Sequence, residues 1–111
     1  MKPFPPTLRE KRRYIVFELI SEKSLGKKEV KEGIWKNILE NIGIIGAAET
    51  GFLFIDFDEK TQKGILRCKN IDLNKIKASL CMLSEINLNK ACVHIKAVTG
   101  SIKKACELLG G

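Results

Sequence analysis

The order of two hydrophobic periods along the chain restricts the fold more than any other feature of the sequence. Four short segments, rich in β-branched and aromatic residues, have the length and composition of strands: 14–21, 52–58, 65–69 and 91–98. Three segments place apolar residues at helical spacing: 27–42, 73–83 and 101–109. The order strand, helix, strand, strand, helix, strand, helix is the ferredoxin-like βαββαβ pattern with an additional C-terminal helix. We therefore predict an α+β, RRM-like antiparallel sheet with two helices on one face.

The length and the first residues set the domain organisation. A chain of 111 residues fits one domain, 1–111. Prolines at positions 3, 5 and 6 favour an irregular basic arm over residues 1–12. Glycines predict a loop over residues 43–51, and Asp72 is a plausible N-cap for the second helix. No apolar run is long enough to cross a membrane, and the proline-containing start is unlike a signal peptide, so we expect a cytoplasmic protein with no membrane partner.

Alternation along the strands divides the sheet into two faces. A uniformly apolar set should lie beneath the two helices: Ile15, Phe17, Leu19, Leu53, Ile55, Phe57, Leu66, Cys68, Val93, Ile95 and Ala97. The opposite set mixes charged and large apolar residues, which favours a cover over part of that face. The cover is either the last helix or a partner protein. For a partner, the expected interface residues are Val16, Phe52, Phe54, Ile65 and Leu109.

Residues suited to catalysis or metal binding are sparse in this sequence. His94 is the single histidine, and Asp56 and Asp58 are more simply a solvated pair beside a turn. The four cysteines lack the short paired spacing of a zinc site, so we expect no metal site and no catalytic set. Each cysteine lies in an apolar stretch and should act as a small hydrophobic residue in a reducing cytosol.

The charge distribution points to a polyanionic partner, with RNA or DNA first and an anionic membrane surface second. The net charge is +7, and +4 of it falls within residues 1–13. A basic tail that only aids solubility is the alternative. The segment Lys63–Lys69 has none of the aromatic residues on which RNA-recognition motifs stack bases, so contact through phosphates is the expected mode.

Three motifs resemble one known family. The run 5–18 (PPTLREKRRYIVFE) is similar to the N-terminal signature of archaeal ribonuclease P protein component 2. The segments 51–58 (GFLFIDFD) and 98–105 (VTGSIKKA) resemble the second strand of that family and its junction between last strand and last helix. The first motif is fairly specific, and the three together span nearly the whole chain in the expected order.

This resemblance implies a non-catalytic protein subunit of ribonuclease P. In that family the catalyst is the ribonuclease P RNA, which removes the 5′ leader from precursor tRNA with magnesium, and the protein binds no cofactor itself. The implied protein partner is ribonuclease P protein component 3, in a heterotetramer of two pairs. The matching motifs put forward six RNA-contact candidates on the basis of their charge: Arg9, Lys11, Arg12, Arg13, Lys103 and Lys104.

Two other function classes remain open from the sequence. One is a different ribonucleoprotein component with the same fold, such as a ribosomal protein. The other is a ferredoxin-like small-molecule regulatory module, although such a module usually has no basic arm.

Overall fold

A five-stranded antiparallel sheet lies at the centre of the structure, a computed structural model that describes residues 11–110. Its strands are β1 (Arg12–Ser21), β2 (Leu53–Asp58), β3 (Lys63–Lys69), β4 (Glu85–Ile86) and β5 (Asn89–Thr99). Their order across the sheet is β2-β3-β1-β5-β4, so β1 pairs with both β3 and β5. The ferredoxin-like arrangement is confirmed, with the two-residue β4 as an edge strand that the sequence pattern did not indicate.

Two helices cover one face of this sheet. They are α1 (Lys27–Ile42) and α3 (Leu73–Cys81), whose apolar residues join the strand residues in the main core. Val30, Ile34 and Ile38 of α1 are fully buried there, at the predicted helical spacing. Asp72 occupies the N-cap position of α3, but its side chain makes no capping hydrogen bond. We call this side of the sheet the helix face.

The last helix, α4 (Ile102–Gly110), crosses the opposite side of the sheet, here called the outer face. Ala105 of α4 is fully buried against Val16 of β1 and Ile65 of β3, which are 1% and 0% exposed. Four half-buried apolar residues surround this second core: Tyr14, Ile55, Ala97 and Leu109. The sequence left open whether the last helix or a partner protein covers this face. In the structure, α4 covers its centre.

The loop predicted for residues 43–51 is wrong, because residues Ile44–Glu49 form the short helix α2. Gly43 ends α1 at a φ of 87°, and its carbonyl accepts a hydrogen bond from the Ala47 N–H at 2.9 Å. Ala47 is buried in the main core, and the Thr50 hydroxyl donates to the Ala47 carbonyl at 2.7 Å. Only one of the six residues of α2 is buried, and a single buried position gives no helical period that could be recognised in the sequence.

The predicted faces are wrong for five residues, because two strands contain irregularities in register. The pairing of β2 with β3 skips Ile55, so Phe52 and Phe54 pack into the main core on the helix face. The pairing of β5 with β1 skips Lys96, and Ala97 turns to the outer face. A bulge inserts one residue and inverts the alternation beyond it, a shift that strict period-2 counting cannot follow. The residues misplaced in this way are Phe52, Leu53, Phe54, Ile55 and Ala97.

The bulge makes a testable prediction about two neighbouring residues. Phe54 contacts Phe17 edge to face at 6.5 Å between ring centroids, whereas Leu53 is 44% exposed. We expect Phe54→Lys to lower the free energy of unfolding by about 2 kcal/mol or more, because it removes core packing and places a charge against it. Leu53→Lys should change it by less than about 0.5 kcal/mol. Urea unfolding monitored by circular dichroism measures both, and equal effects would contradict the observed register.

Candidate nucleic-acid interface

The candidate interface lies at the end of the sheet where β1 begins and β5 ends. Tyr14 pairs with Thr99 across these strands, and the chain then turns through Gly100 and Ser101 into α4. The Arg13 guanidinium packs against this turn, with one nitrogen 3.4 Å from where a Cβ would stand at Gly100. The first turn of α4 therefore starts beside the first residues of β1, although about ninety positions separate them in the sequence.

Basic residues from three separate parts of the chain lie at this end. β1 pairs with β3 so that Arg12 faces Lys69, and the Asn70 N–H donates to the Lys11 carbonyl at 2.7 Å. We call the following set the cationic end: Lys11, Arg12, Arg13, Arg67, Lys69, Lys103 and Lys104. Among residues 11–110, no salt bridge joins Arg12, Arg13, Lys103 or Lys104 to a carboxylate.

Arg67 and Lys69 belong to the cationic end but are not among the six predicted RNA contacts, and Arg67 has the more unusual environment of the two. It lies on the outer face in register with Tyr14 on one side and Leu53 on the other. Its Nε atom is buried and has no hydrogen-bond partner within the described part of the chain. The sequence does indicate the face on which Arg67 lies, because it is two residues beyond Ile65 and alternate strand residues share a face. It does not form part of any recognisable motif.

The acidic residues at the opposite end of the sheet form internal contacts. Glu18 binds Lys96 at 3.1 Å, and Asp56 binds Lys27 at 3.1 Å. The hydrogen bond and the charge of Lys96 lower the pKa of Glu18. The Phe57 N–H, followed by Lys27, lowers the pKa of Asp56. These carboxylates therefore stay ionised at neutral pH, and each is matched by a lysine, Glu18 by Lys96 and Asp56 by Lys27.

A further carboxylate at this opposite end of the sheet serves the fold directly. Glu59, in the turn between β2 and β3, accepts a hydrogen bond from the Lys27 N–H at 2.8 Å. Lys27 begins α1, whose own N-cap residue, Gly26, has no side chain to supply. A carboxylate at a helix N-terminus is favourable because the exposed N–H groups and the helix dipole are positive there. The Glu59 carboxylate therefore stabilises the N-terminus of α1, which lies away from the cationic end.

The predicted RNA contacts fall into three groups. Arg12 and Arg13 lie within β1, and Lys11 immediately precedes it. The predicted arm, 1–12, is therefore wrong at its last residue, because Arg12 pairs with Lys69 in the sheet. Lys103 and Lys104 lie exposed in the first turn of α4. Arg9 lies outside the described residues. The structure therefore brings five of the six candidates to the same end of the sheet, and their contact with RNA stays a prediction.

The residues predicted to bind a partner protein occupy both faces of the sheet. Val16 and Ile65 lie beneath α4, and Leu109 of α4 is half-buried beside them. Phe52 and Phe54 belong to the helix face. No single surface contains all five, and the large apolar residues exposed on α4 itself are Ile102 and Leu108, each at 40%.

Groups suited to acid–base, nucleophilic or metal chemistry are dispersed. His94 is exposed on β5, and Asp58 uses its carboxylate to accept a hydrogen bond from the Lys60 N–H at 2.9 Å. Within residues 11–110, no three side chains of His, Cys, Asp or Glu are placed to share a metal ion. No helix in this part of the chain is long and apolar enough to cross a membrane.

Comparisons with known proteins agree along nearly the whole chain. Residues 13–109 match the Rpp14/Pop5 family. Ribonuclease P protein component 2 from Pyrococcus furiosus is 45% identical over 103 residues, covering 93% of this chain and 86% of that protein. The protein of the same name from Methanosarcina barkeri is 35% identical, covering 96% and 78%. A chain in the cryo-EM structure of yeast ribonuclease MRP shares the fold, with a TM-score of 0.68 at 14% identity over 91% of this chain and 79% of that one.

The four cysteines differ in burial, so their reactivity tests the packing of this structure. Only Cys68 is buried; Cys81, Cys92 and Cys106 are exposed, so the expectation that all four pack as hydrophobic residues is wrong for three. Burial, aided by the charge of Asp72, raises the pKa of Cys68 to about 11. Because the thiolate is the reactive form, iodoacetamide at pH 8 should modify the other three and spare Cys68 until the protein is denatured. Mass spectrometry of the alkylated peptides measures this, and rapid native labelling of Cys68 would contradict the structure.

Proposed function

The chain belongs to the Rpp14/Pop5 family and is a protein subunit of an archaeal ribonuclease P, and we propose that it acts by binding RNA through its cationic end. Family membership favours this role over that of a ribosomal protein or of a small-molecule regulatory module. Relatives with 45% and 35% identity over more than nine-tenths of the chain support the assignment.

One observation carries the RNA-binding proposal. Arg12 and Arg13 of β1 lie next to the start of α4, which supplies Lys103 and Lys104, and none of the four forms a salt bridge within residues 11–110. Grouped cations without acidic partners repel one another, and phosphate groups remove that repulsion. Releasing counterions from the RNA adds to the affinity. The cationic end is therefore suited to an RNA backbone.

The reaction itself is proposed to belong to the RNA. In this scheme the ribonuclease P RNA cleaves the 5′ leader from precursor tRNA, and magnesium serves that RNA rather than this chain. The contribution of the protein is electrostatic: its cations offset the repulsion between the phosphates of the folded RNA and those of its substrate.

The proposed protein partner is ribonuclease P protein component 3, in a heterotetramer of two pairs in the cytoplasm. Ile102 and Leu108 of α4 are each 40% exposed, and burying apolar surface of this kind returns on the order of 25 cal/mol per Å². The exposed side of α4 is therefore our candidate for the protein contact, with Leu109 at its margin. It adjoins the proposed RNA contacts, because Ile102 directly precedes Lys103, so both partners would meet at this helix.

The salt dependence of RNA binding tests the proposed function. We expect the fourfold variant Arg12→Ala, Arg13→Ala, Lys103→Ala, Lys104→Ala to weaken binding to ribonuclease P RNA. If each side chain neutralises one phosphate, the slope of log affinity against log salt falls by about 3 to 4, from about 0.7–0.9 per contact. Filter binding across a range of potassium chloride concentrations measures the slope.

A matched variant removes the same charge elsewhere. Lys27, Lys36 and Lys96 form salt bridges with carboxylates, and Lys60 is exposed in the turn between β2 and β3. Replacing these four with alanine should leave the slope close to that of the unaltered protein. Equal reductions in both variants would show that total charge, rather than the cationic end, determines RNA binding, and would overturn the proposal.

A further inference from the structure

The aromatic pair Trp35–Phe52 lies on the surface next to the cationic end. Trp35, on α1, is 41% exposed and is the one exposed aromatic residue within the described part of the chain. Its ring stacks on Phe52 with centroids 5.5 Å apart and planes inclined by 17°. Phe52 therefore covers part of the indole, while a large share of Trp35 still faces solvent.

The position of Phe52 is fixed by hydrogen bonds rather than by packing alone. Its N–H donates to the Thr50 hydroxyl at 3.2 Å, and that hydroxyl donates to the Ala47 carbonyl at 2.7 Å. Thr50 is fully buried. The support beneath Trp35 is consequently attached to α2 and to the main core, so the indole is held in place before any ligand arrives.

The outer face is a poor surface for stacking bases. Proteins with this topology often stack RNA bases on aromatic residues of the central strands. Here β3 has no aromatic residue, and α4 covers Val16 and Ile65 at the centre of that face. Phe17 and Phe57 are buried in the main core. Among the described residues, an exposed ring for a base is found at Trp35.

The aromatic pair is continuous with the cationic end. Lys69 faces Arg12 across β1 and β3, and its Cγ lies 3.2 Å from where a Cβ would stand at Gly51. Gly51 directly precedes Phe52, and its φ of 65° turns the chain there. An RNA strand that leaves the cationic end along Lys69 therefore passes Phe52 and Trp35. Lys31, exposed one helical turn before Trp35, can contact the next phosphate.

We propose that Trp35, supported by Phe52, is a stacking platform for an unpaired nucleobase of RNA. The inference rests on the proposed function, since it assumes that RNA lies on the cationic end. It adds a contact of a different kind: aromatic stacking accepts any base, because every base has a π-face, and is favoured where a basic surface follows the strand. An RNA loop or end at this position would be held by its phosphates and by one flat base.

Trp35 is the single tryptophan of the chain, so its fluorescence reports on this site alone. We expect a short oligouridylate to quench the emission of the full-length protein at low salt, because a stacked base quenches indole. Inorganic polyphosphate, which has phosphates but no bases, should bind the cationic end without quenching. The quenching curve and the binding curve of the labelled oligonucleotide should coincide.

Substitutions at Trp35 measure the size of the contact by anisotropy of the labelled oligouridylate. Trp35→Leu should weaken binding roughly 5- to 150-fold, the range for loss of one base stack, and Trp35→Phe should retain most of the affinity. Leu88→Ala is the control, since Leu88 is an exposed apolar residue at the other end of the sheet, in the turn between β4 and β5. It should bind like the unaltered protein.

Three results would overturn the inference, and they separate it from the proposed function. Salt-dependent oligouridylate binding without quenching, together with unchanged affinity of Trp35→Leu, removes the platform and leaves the cationic end. No binding of either polyanion by the unaltered protein removes both. A shift of the emission only on adding a protein subunit of the holoenzyme assigns Trp35 to a protein contact instead. The quenching experiment uses the unaltered protein, so it tests base stacking on Trp35 even if Trp35→Leu folds poorly.

Discussion

The packing of α4 against the outer face is the contact on which the arrangement of this protein depends. The sheet has apolar side chains on both faces, and α1 and α3 cover only one. Ala105 is small enough to let α4 approach Val16 and Ile65 closely, which removes both from water. The same packing fixes the start of α4 beside β1. A hydrophobic contact at the centre of the face thus determines where the cations at its margin lie.

The division of charge follows from this geometry and from the way in which the other end of the sheet is held together. Asp56 and Glu59 bind the first residue of α1, and Glu18 binds Lys96, so acidic groups there satisfy internal partners. Exposed ion pairs of this kind add little stability. They also offset the charge of Lys27 and Lys96, whereas Arg12, Arg13, Lys103 and Lys104 have no carboxylate partner among residues 11–110. Such cations attract a polyanion over distances of about a Debye length, near 8 Å at physiological salt.

Most of the fold could be predicted from the sequence, because hydrophobic period and segment length are local properties. Val30, Ile34 and Ile38 are buried at the predicted spacing, and β1 pairs as its apolar alternation indicates. The faces of Phe54 and Ala97 could not be predicted, since a bulge depends on the partner strand. The site was partly predictable: the charge runs at 11–13 and 103–104 are visible in the sequence, whereas their meeting depends on α4. Period two along β3 places Arg67 on the face of Ile65, whereas the Trp35–Phe52 stack arises only from tertiary contacts.

If α4 and β1 together present one RNA-binding end, the reactivity of individual lysines should change when RNA binds. The protein would be acetylated briefly, free and bound to ribonuclease P RNA, and each lysine quantified by mass spectrometry. RNA should protect Lys103 and Lys104, while Lys60 and Lys96, outside the cationic end, should react at unchanged rates. Protection of Lys60 and Lys96 with undiminished reactivity of Lys103 and Lys104 would contradict it.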